Sequence, residues 1–65
     1  MKRYFQISLK EPSGRVIGPV GVVAGPDTTA NLTAAQVAQN TALATGPEGS
    51  TLAYFQDLGQ VDIEG

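Results

Sequence analysis

The chain has 65 residues and a formal net charge of −2, with four Lys or Arg against six Asp or Glu, and it contains no Cys, His or Trp. This length allows one domain, residues 1–65, with a small core. The missing Cys and His exclude disulfides and thiolate or imidazole metal ligands, and the acidic balance argues against a nucleic-acid partner, which would need a basic surface.

Residues 3–10 alternate between apolar and polar side chains. Phe5, Ile7 and Leu9 fall on one face of this segment, as in a half-buried strand of period two. Residues 11–14 read Glu-Pro-Ser-Gly, which predicts a type I turn followed by a left-handed glycine. The chain should then return as a second strand over residues 15–24, so we expect an N-terminal β-hairpin.

The second strand contains residues that weaken sheet pairing. Pro19 cannot donate a ladder hydrogen bond, and Gly18 offers no side chain for packing. We therefore expect this strand to be an edge strand, or to be bulged near these two residues.

A helix is predicted over about residues 34–45. Thr33 and Gln36 have the spacing of a capping box, in which each side chain bonds the other residue's backbone N–H. Gly46 is the expected left-handed residue at the C-terminal end, and Pro47 is the stop.

The spacing of small residues predicts which face of this helix packs on a sheet. At 100° per residue the predicted packing face consists of Ala34, Val37, Ala38, Thr41 and Ala44. Leu43 falls among amide side chains on the opposite face. The small residues would let the helix lie close to the sheet.

One or two strands are predicted after the helix. The first covers residues 51–58, Gly59 marks a turn or a bulge, and residues 61–64 form a short fourth strand. The element order ββαβ indicates an α+β domain with a mainly antiparallel sheet and one helix on a face. Residues 1–2 and 61–65 are expected to be free arms that order only on binding.

The chain lacks the usual residues of catalysis. General acid–base work at neutral pH most often uses His, and the Asp-Thr-Thr segment at residues 27–29 is typical of a turn capped by side chains. Asp57, Asp62 and Glu64 could place carboxylates together, and Asp62 and Glu64, on one strand face, could share a cation. No loop shaped for calcium is evident, so a solvated acidic edge is favoured. We expect a protein that is not an enzyme and that binds no cofactor and no metal.

The chain shows no membrane or export signal. No apolar run approaches the ~18 residues of a membrane span, and no secretory signal pattern is present at the N-terminus. We therefore expect a protein that is made in the cytoplasm, is not secreted and has no membrane partner.

The charges are separated along the sequence. Lysines and arginines occupy the start of the chain and acids occupy its end: Lys2, Arg3, Lys10 and Arg15 against Asp57, Asp62 and Glu64. Two interpretations stay open. Either these charges simply solubilise the domain, or a basic edge meets an acidic edge, within the chain or between copies.

The middle of the chain is almost free of charge. Between Arg15 and Glu48 the single charged residue is Asp27. In so small a domain most residues touch the outside, and a large neutral surface is most simply explained if a partner covers it. The candidate contact residues are Tyr4, Val20, Val22, Val23, Leu43 and Tyr54. A Val-rich edge strand could also pair with the sheet of a partner.

These features predict a structural or interaction protein. We expect a homo-oligomer or a multicopy protein that binds itself or a larger assembly subunit. Size and composition suggest an accessory or decorating subunit of a virion, such as a phage capsid. The alternative is a small acidic inhibitor or adaptor that binds a single cellular protein, which would need a concentrated acidic face.

Overall fold

The computed structural model describes residues 2–61 as one sheet and one helix. The elements are β1 (Lys2–Lys10), β2 (Val16–Ala24), α1 (Ala34–Thr45) and β3 (Thr51–Val61). The sheet is antiparallel in the order β2-β1-β3, with β1 in the centre. The predicted α+β fold with an N-terminal hairpin is confirmed.

The hairpin turn has the predicted geometry. The carbonyl oxygen of Glu11 accepts a hydrogen bond from the N–H of Gly14 at 2.8 Å, and the N–H of Glu11 donates to the carbonyl of Arg15 at 2.8 Å. Gly14 has φ +94°, a left-handed conformation that glycine adopts without strain.

β2 is both an edge strand and bulged, as expected. Ile7 pairs with Val20 and Leu9 pairs with Ile17, so two residues of β2, at positions 18 and 19, lie opposite one residue of β1. Gly18 has φ +98°, and a Cβ at this position would lie 2.9 Å from the carbonyl oxygen of Ile7.

A tight loop connects β2 to the helix. The N–H of Asp27 donates to the carbonyl of Leu32 at 3.0 Å, and the N–H of Leu32 donates back at 2.8 Å. The Asp27 carboxylate accepts from the N–H of Ala30 at 3.1 Å. The acid in this loop therefore caps a turn, as its neighbours predicted.

The helix begins with the predicted capping box, but the conformation of the residue at its C-terminal end differs from the prediction. Thr33 Oγ1 accepts from the Gln36 N–H at 3.2 Å, and Gln36 Oε1 accepts from the Thr33 N–H at 2.8 Å. Gly46 is extended, with φ −84° and ψ 177°, so the expected left-handed residue was wrong. A Cβ on Gly46 would instead overlap the side chain of Leu9, so glycine is needed here for close approach of the helix end to β1.

The helix packs on a face rotated from the predicted one. Ala38 and Ala42 are buried, whereas Thr41 and Ala44 are exposed. Positions 34 and 37 pack against the core as predicted. The packing face therefore keeps positions 34, 37 and 38 and continues at position 42 rather than at positions 41 and 44. Alanine and threonine occur on both sides of this helix, so the period alone could not distinguish these two continuations.

The core lies between α1 and one face of the sheet. Its buried apolar residues are Phe5, Ile7, Leu9, Ala24, Ala38 and Ala42. Phe55 of β3 extends this cluster, with its ring centroid 5.2 Å from that of Phe5.

β3 is longer than predicted. Tyr4 pairs with Gly59 while Phe5 pairs with Asp57, so the chain passes position 59 in a bulge rather than a turn. Gly59 has φ +106°. Val61 was predicted to start a fourth strand and a free arm, and Lys2 was predicted to lie in the other free arm. Both predictions were wrong, because Lys2 of β1 and Val61 of β3 are register partners in the sheet. The predictions for residue 1 and residues 62–65 lie outside the described residues.

Candidate interaction surface

The sheet has one covered face and one uncovered face. β1 directs Phe5, Ile7 and Leu9 toward α1, and its alternate side chains point the other way. Within residues 2–61 no helix or further strand lies on that second side. We call it the open face; the register places on it Lys2, Tyr4, Gln6, Ser8, Lys10, Val16, Gly21, Val23, Thr51, Tyr54, Gln56, Gly59 and Val61.

One end of the open face is built from an aromatic and an aliphatic side chain. Tyr4 pairs across the strands with Val23, which is 43% exposed. The Tyr4 ring lies over Gly21, two residues along β2, where the missing Cβ leaves room for it. Tyr4 is half-buried by this contact.

A second tyrosine lies further along the same face. Tyr54 pairs with Ser8 and is 44% exposed, whereas Ser8 is buried. The Tyr54 hydroxyl donates a hydrogen bond to the side-chain oxygen of Gln56. Gln56 is in turn the register partner of Gln6 on β1. The centre of the open face thus consists of hydroxyl and amide groups flanked by apolar side chains.

The charges of the open face lie at its two ends. The register puts Lys2 and Lys10, at opposite ends of β1, on this side of the sheet. Asp57 pairs with Phe5 and therefore belongs to the helix side, where its Oδ2 accepts from Arg3 Nε at 2.8 Å. The open face is thus neutral at its centre and basic at its ends.

The environment of Asp57 stabilises its charged form. The hydrogen bond from Arg3 is the largest cause that lowers the pKa of this carboxyl, and the N–H of Gly59 donates to Oδ1 at 2.9 Å and lowers it further. Both side chains remain partly exposed. The Asp57 carboxylate therefore joins Arg3 of β1 to the backbone of the bulge at Gly59.

The structure separates the six residues that the sequence singled out. Tyr4, Val23 and Tyr54 are together on the open face, whereas Val20 and Val22 are on the helix side of β2. Val22 packs against the core, and Val20 is 52% exposed beside a cleft. Leu43 is alone on the outer side of α1, at 38% exposure.

Val16 belongs to the open face and was not singled out from the sequence. It is 57% exposed, the largest value among the large apolar side chains of residues 2–61. The alternation along β1 could have revealed it, since Val16 pairs with Lys10, and Lys10 follows Leu9 of the opposite, core-facing side.

Residues 2–61 contain no group of three or more His, Cys, Asp or Glu side chains that could hold an ion. Within the same residues no helix is long and apolar enough to cross a membrane.

Comparison with protein-family models, with curated proteins and with solved structures finds no match to this chain.

Proposed function

We propose that this protein is a non-enzymatic interaction subunit of a multicopy assembly, and that the open face is its contact surface. One observation carries the proposal. The outward positions of β2 have no polar side chain, since they are filled by Val16, Gly21 and Val23. Antiparallel sheets with one solvated face normally alternate apolar and polar residues so that the outer face is polar.

The tyrosines and the position of the lysines also make the open face suitable as a contact surface. Tyr4 and Tyr54 supply large side chains that are apolar along the ring and polar at the hydroxyl, the type enriched at protein interfaces. No charge has to be desolvated at the centre of the face, because the lysines lie at its ends. Desolvation of unpaired charges is a main cost of burying a surface.

The distribution of acids favours this proposal over the alternative of an acidic inhibitor or adaptor. Glu11 lies 3.7 Å from Arg15, and Asp57 lies 2.8 Å from Arg3. Asp27 and Glu48 are on separate loops. The acids of residues 2–61 are therefore spread out and half of them are beside arginines, whereas a protein that blocks a basic site needs them together.

Among multicopy assemblies, we propose a phage capsid as the one to which this subunit belongs. Its support is the low charge and small size of the chain, which suit a subunit that decorates a larger shell. The open face would lie against the shell or a neighbouring copy, and α1 would face outward.

The experiment compares association of the wild-type chain, Val23→Glu and the control Thr29→Glu. Val23 is on the open face and Thr29 is exposed in the loop before α1, so both variants add one negative charge at an exposed site. Sedimentation velocity over a wide concentration range, with circular dichroism on the same samples, measures mass and folding. We expect the wild type and Thr29→Glu to associate and Val23→Glu to dissociate at least tenfold more readily, a difference of about 1.4 kcal/mol. Equal association of the two variants would contradict the proposal. A wild type that stays monomeric throughout would contradict contact between neighbouring copies and leave the shell as the partner of the open face.

A further inference from the structure

The helix covers the centre of the sheet and leaves β3 largely uncovered. On the helix side, Ile7 of β1 is buried whereas its partner Phe55 is only half-buried. Leu9 of β1 is buried whereas its partner Leu52 is exposed. Leu58, the extra residue in the second bulge of β3, is exposed as well. The apolar surface of the core therefore continues along β3 beyond the part that α1 covers.

The outer edge of β3 is free. β3 is an outer strand, so its outer backbone groups have no strand partner within residues 2–61. Lysine and proline commonly protect such edges from pairing, but residues 51–61 contain neither. The single charge of β3, Asp57, is held by Arg3 of the same chain. The opposite edge, β2, contains Pro19 within a bulge, so β3 is the edge that is better suited to accept a further strand.

Two bulges define the part of β3 that can pair regularly. The extra residues are at positions 53 and 58, and residues 54–57 between them pair with β1 in unbroken register. Four residues offer few backbone hydrogen bonds to a partner strand. Burial of apolar side chains therefore has to stabilise a contact at this edge, and β3 presents Leu52, Phe55 and Leu58 for it.

The sequence of β3 is suited to pairing with a second copy of itself. Residues 52–58 read Leu-Ala-Tyr-Phe-Gln-Asp-Leu, with one leucine three positions before Phe55 and another three positions after it. In an antiparallel pair with a two-fold axis at Phe55, the two Phe55 side chains meet beside the rings of Phe5 that each already contacts. Leu52 of each copy then lies level with Leu58 of the other.

The same register keeps like charges apart. Directly opposite residues of antiparallel strands share one face of the sheet, so a two-fold axis at Phe55 puts α1 of both copies on the same side. Asp57 lies opposite Ala53 of the other copy, four residues and about 13 Å along the strand from the other Asp57. An axis one residue further, at Gln56, would instead place Phe55 opposite Asp57.

We propose that two copies of this chain join through β3 about a two-fold axis at Phe55, so that two sheets of three strands become one continuous sheet. Leu52, Phe55 and Leu58 of both copies fill the space between the two helices. The contact uses the same patch on each copy and therefore closes at a dimer. This inference rests on the proposed multicopy assembly, in which β3 forms the dimer and the open face joins dimers to one another or to the shell.

The first experiment compares Leu58→Glu with the matched control Leu43→Glu. Leu58 is 46% exposed on β3 and Leu43 is 38% exposed on the outer side of α1, so both variants add a carboxylate at a similarly exposed leucine. Sedimentation equilibrium measures the dimer dissociation constant, and circular dichroism on the same samples checks folding. We expect Leu58→Glu to raise the dissociation constant roughly tenfold or more, and Leu43→Glu and Leu58→Met to stay close to the wild type. Equal dissociation constants for the two glutamate variants, or a monomeric wild type, would overturn the inference.

The second experiment tests the register by disulfide formation, because the chain has no cysteine of its own. The proposed axis places Tyr54 of one copy opposite Gln56 of the other, with Cβ atoms about 5 Å apart. Gln56→Cys is therefore mixed with Tyr54→Cys, or with the control Val23→Cys, which lies on the open face at the other edge of the sheet. Since pairing raises the local thiol concentration to about the millimolar range, we expect the first mixture to form its mixed disulfide roughly tenfold faster, or more. Equal rates for the two mixtures would contradict pairing through β3.

The variants also separate this inference from the proposed function. If Val23→Glu breaks larger assemblies into dimers and Leu58→Glu breaks those dimers, both contacts stand. If Val23→Glu is monomeric while Leu58→Glu associates like the wild type, the β3 contact is wrong and the open-face proposal stands. If Leu58→Glu is monomeric while Val23→Glu associates like the wild type, the open-face proposal is wrong and the β3 contact stands.

Discussion

The ring of Tyr4 occupies the space above Gly21 on the neighbouring strand. A Cβ on Gly21 would lie 2.8 Å from Cε1 and 2.9 Å from Cζ of this ring. Residue 21 therefore has to lack a side chain for Tyr4 to lie flat along the sheet. The contact fixes the orientation of one aromatic side chain of the open face.

Gly21→Ala should change association more than stability. The added methyl group displaces the Tyr4 ring, and the cost is offset by the roughly 0.5–1 kcal/mol that alanine gains over glycine in an extended strand. We expect the free energy of unfolding to change by less than about 1 kcal/mol while association measured by sedimentation weakens. The same substitution in a Tyr4→Ala background should have no further effect on association. A variant that associates like the wild type would remove Tyr4 from the interface.

Val22→Glu and Val23→Glu should behave differently although the residues are adjacent. Val22 packs against the core and Val23 lies on the open face. A carboxylate at position 22 loses hydration next to Phe5, so we expect a loss of about 2 kcal/mol in the free energy of unfolding. Val23→Glu should change this free energy by no more than about 0.5 kcal/mol. Denaturant unfolding of both variants at low protein concentration checks the difference; equal losses would place both side chains in the core.

Gly46→Ala should destabilise the fold through Leu9. Gly46 has an extended backbone that any residue can adopt, so the cost is steric and arises where the added Cβ meets the Leu9 side chain. Overpacking of this kind typically costs about 1–3 kcal/mol. In a Leu9→Ala background the further cost of Gly46→Ala should largely vanish. An equal cost in both backgrounds would show that the helix end, rather than the contact with β1, requires glycine.

Thr33→Ala should lower the free energy of unfolding by about 1 kcal/mol, because the Gln36 N–H loses its acceptor at the first turn of α1. Thr29→Ala, at an exposed position in the preceding loop, is the matched control and should be neutral. Thermal or denaturant unfolding compares the two. No shift in the midpoint for Thr33→Ala would mean that the capping box contributes nothing to the stability of the domain.

The Arg3–Asp57 pair should make stability depend on pH in the acid range. The pKa of Asp57 is lowered in the folded chain, chiefly by Arg3. The stabilisation is therefore fully present above the unfolded pKa of about 3.9 and is lost as the pH falls through the lower folded value. We expect the denaturant concentration at the unfolding midpoint to decrease when the pH is lowered below about 4, and to decrease less in Asp57→Asn. Identical acid profiles for the two chains would show that the pair does not contribute.

Much of the fold could be predicted because the signals were local. The alternation around Phe5, the turn that ends at Gly14 and the capping box of Thr33 each depend on neighbours within four residues. Their conformations follow from backbone geometry and short-range hydrogen bonds, and these are the same in any fold that contains them. The hairpin, the helix bounds and the α+β class followed from them.

The tertiary structure decided which surfaces meet. Sequence period could not decide whether the packing face of α1 continues from Ala38 to Ala42 or to Thr41, because small residues at either position can lie against the sheet. It could not show that Gly46 is needed for contact with β1, or that Arg3 and Asp57, 54 positions apart, form a pair. It also grouped Val20, Val22 and Val23 as one surface, whereas the strand register sends Val23 to the opposite side of the sheet. Such choices depend on long-range packing, which fixes the side that α1 covers and so leaves the open face and the cleft beside β2 uncovered.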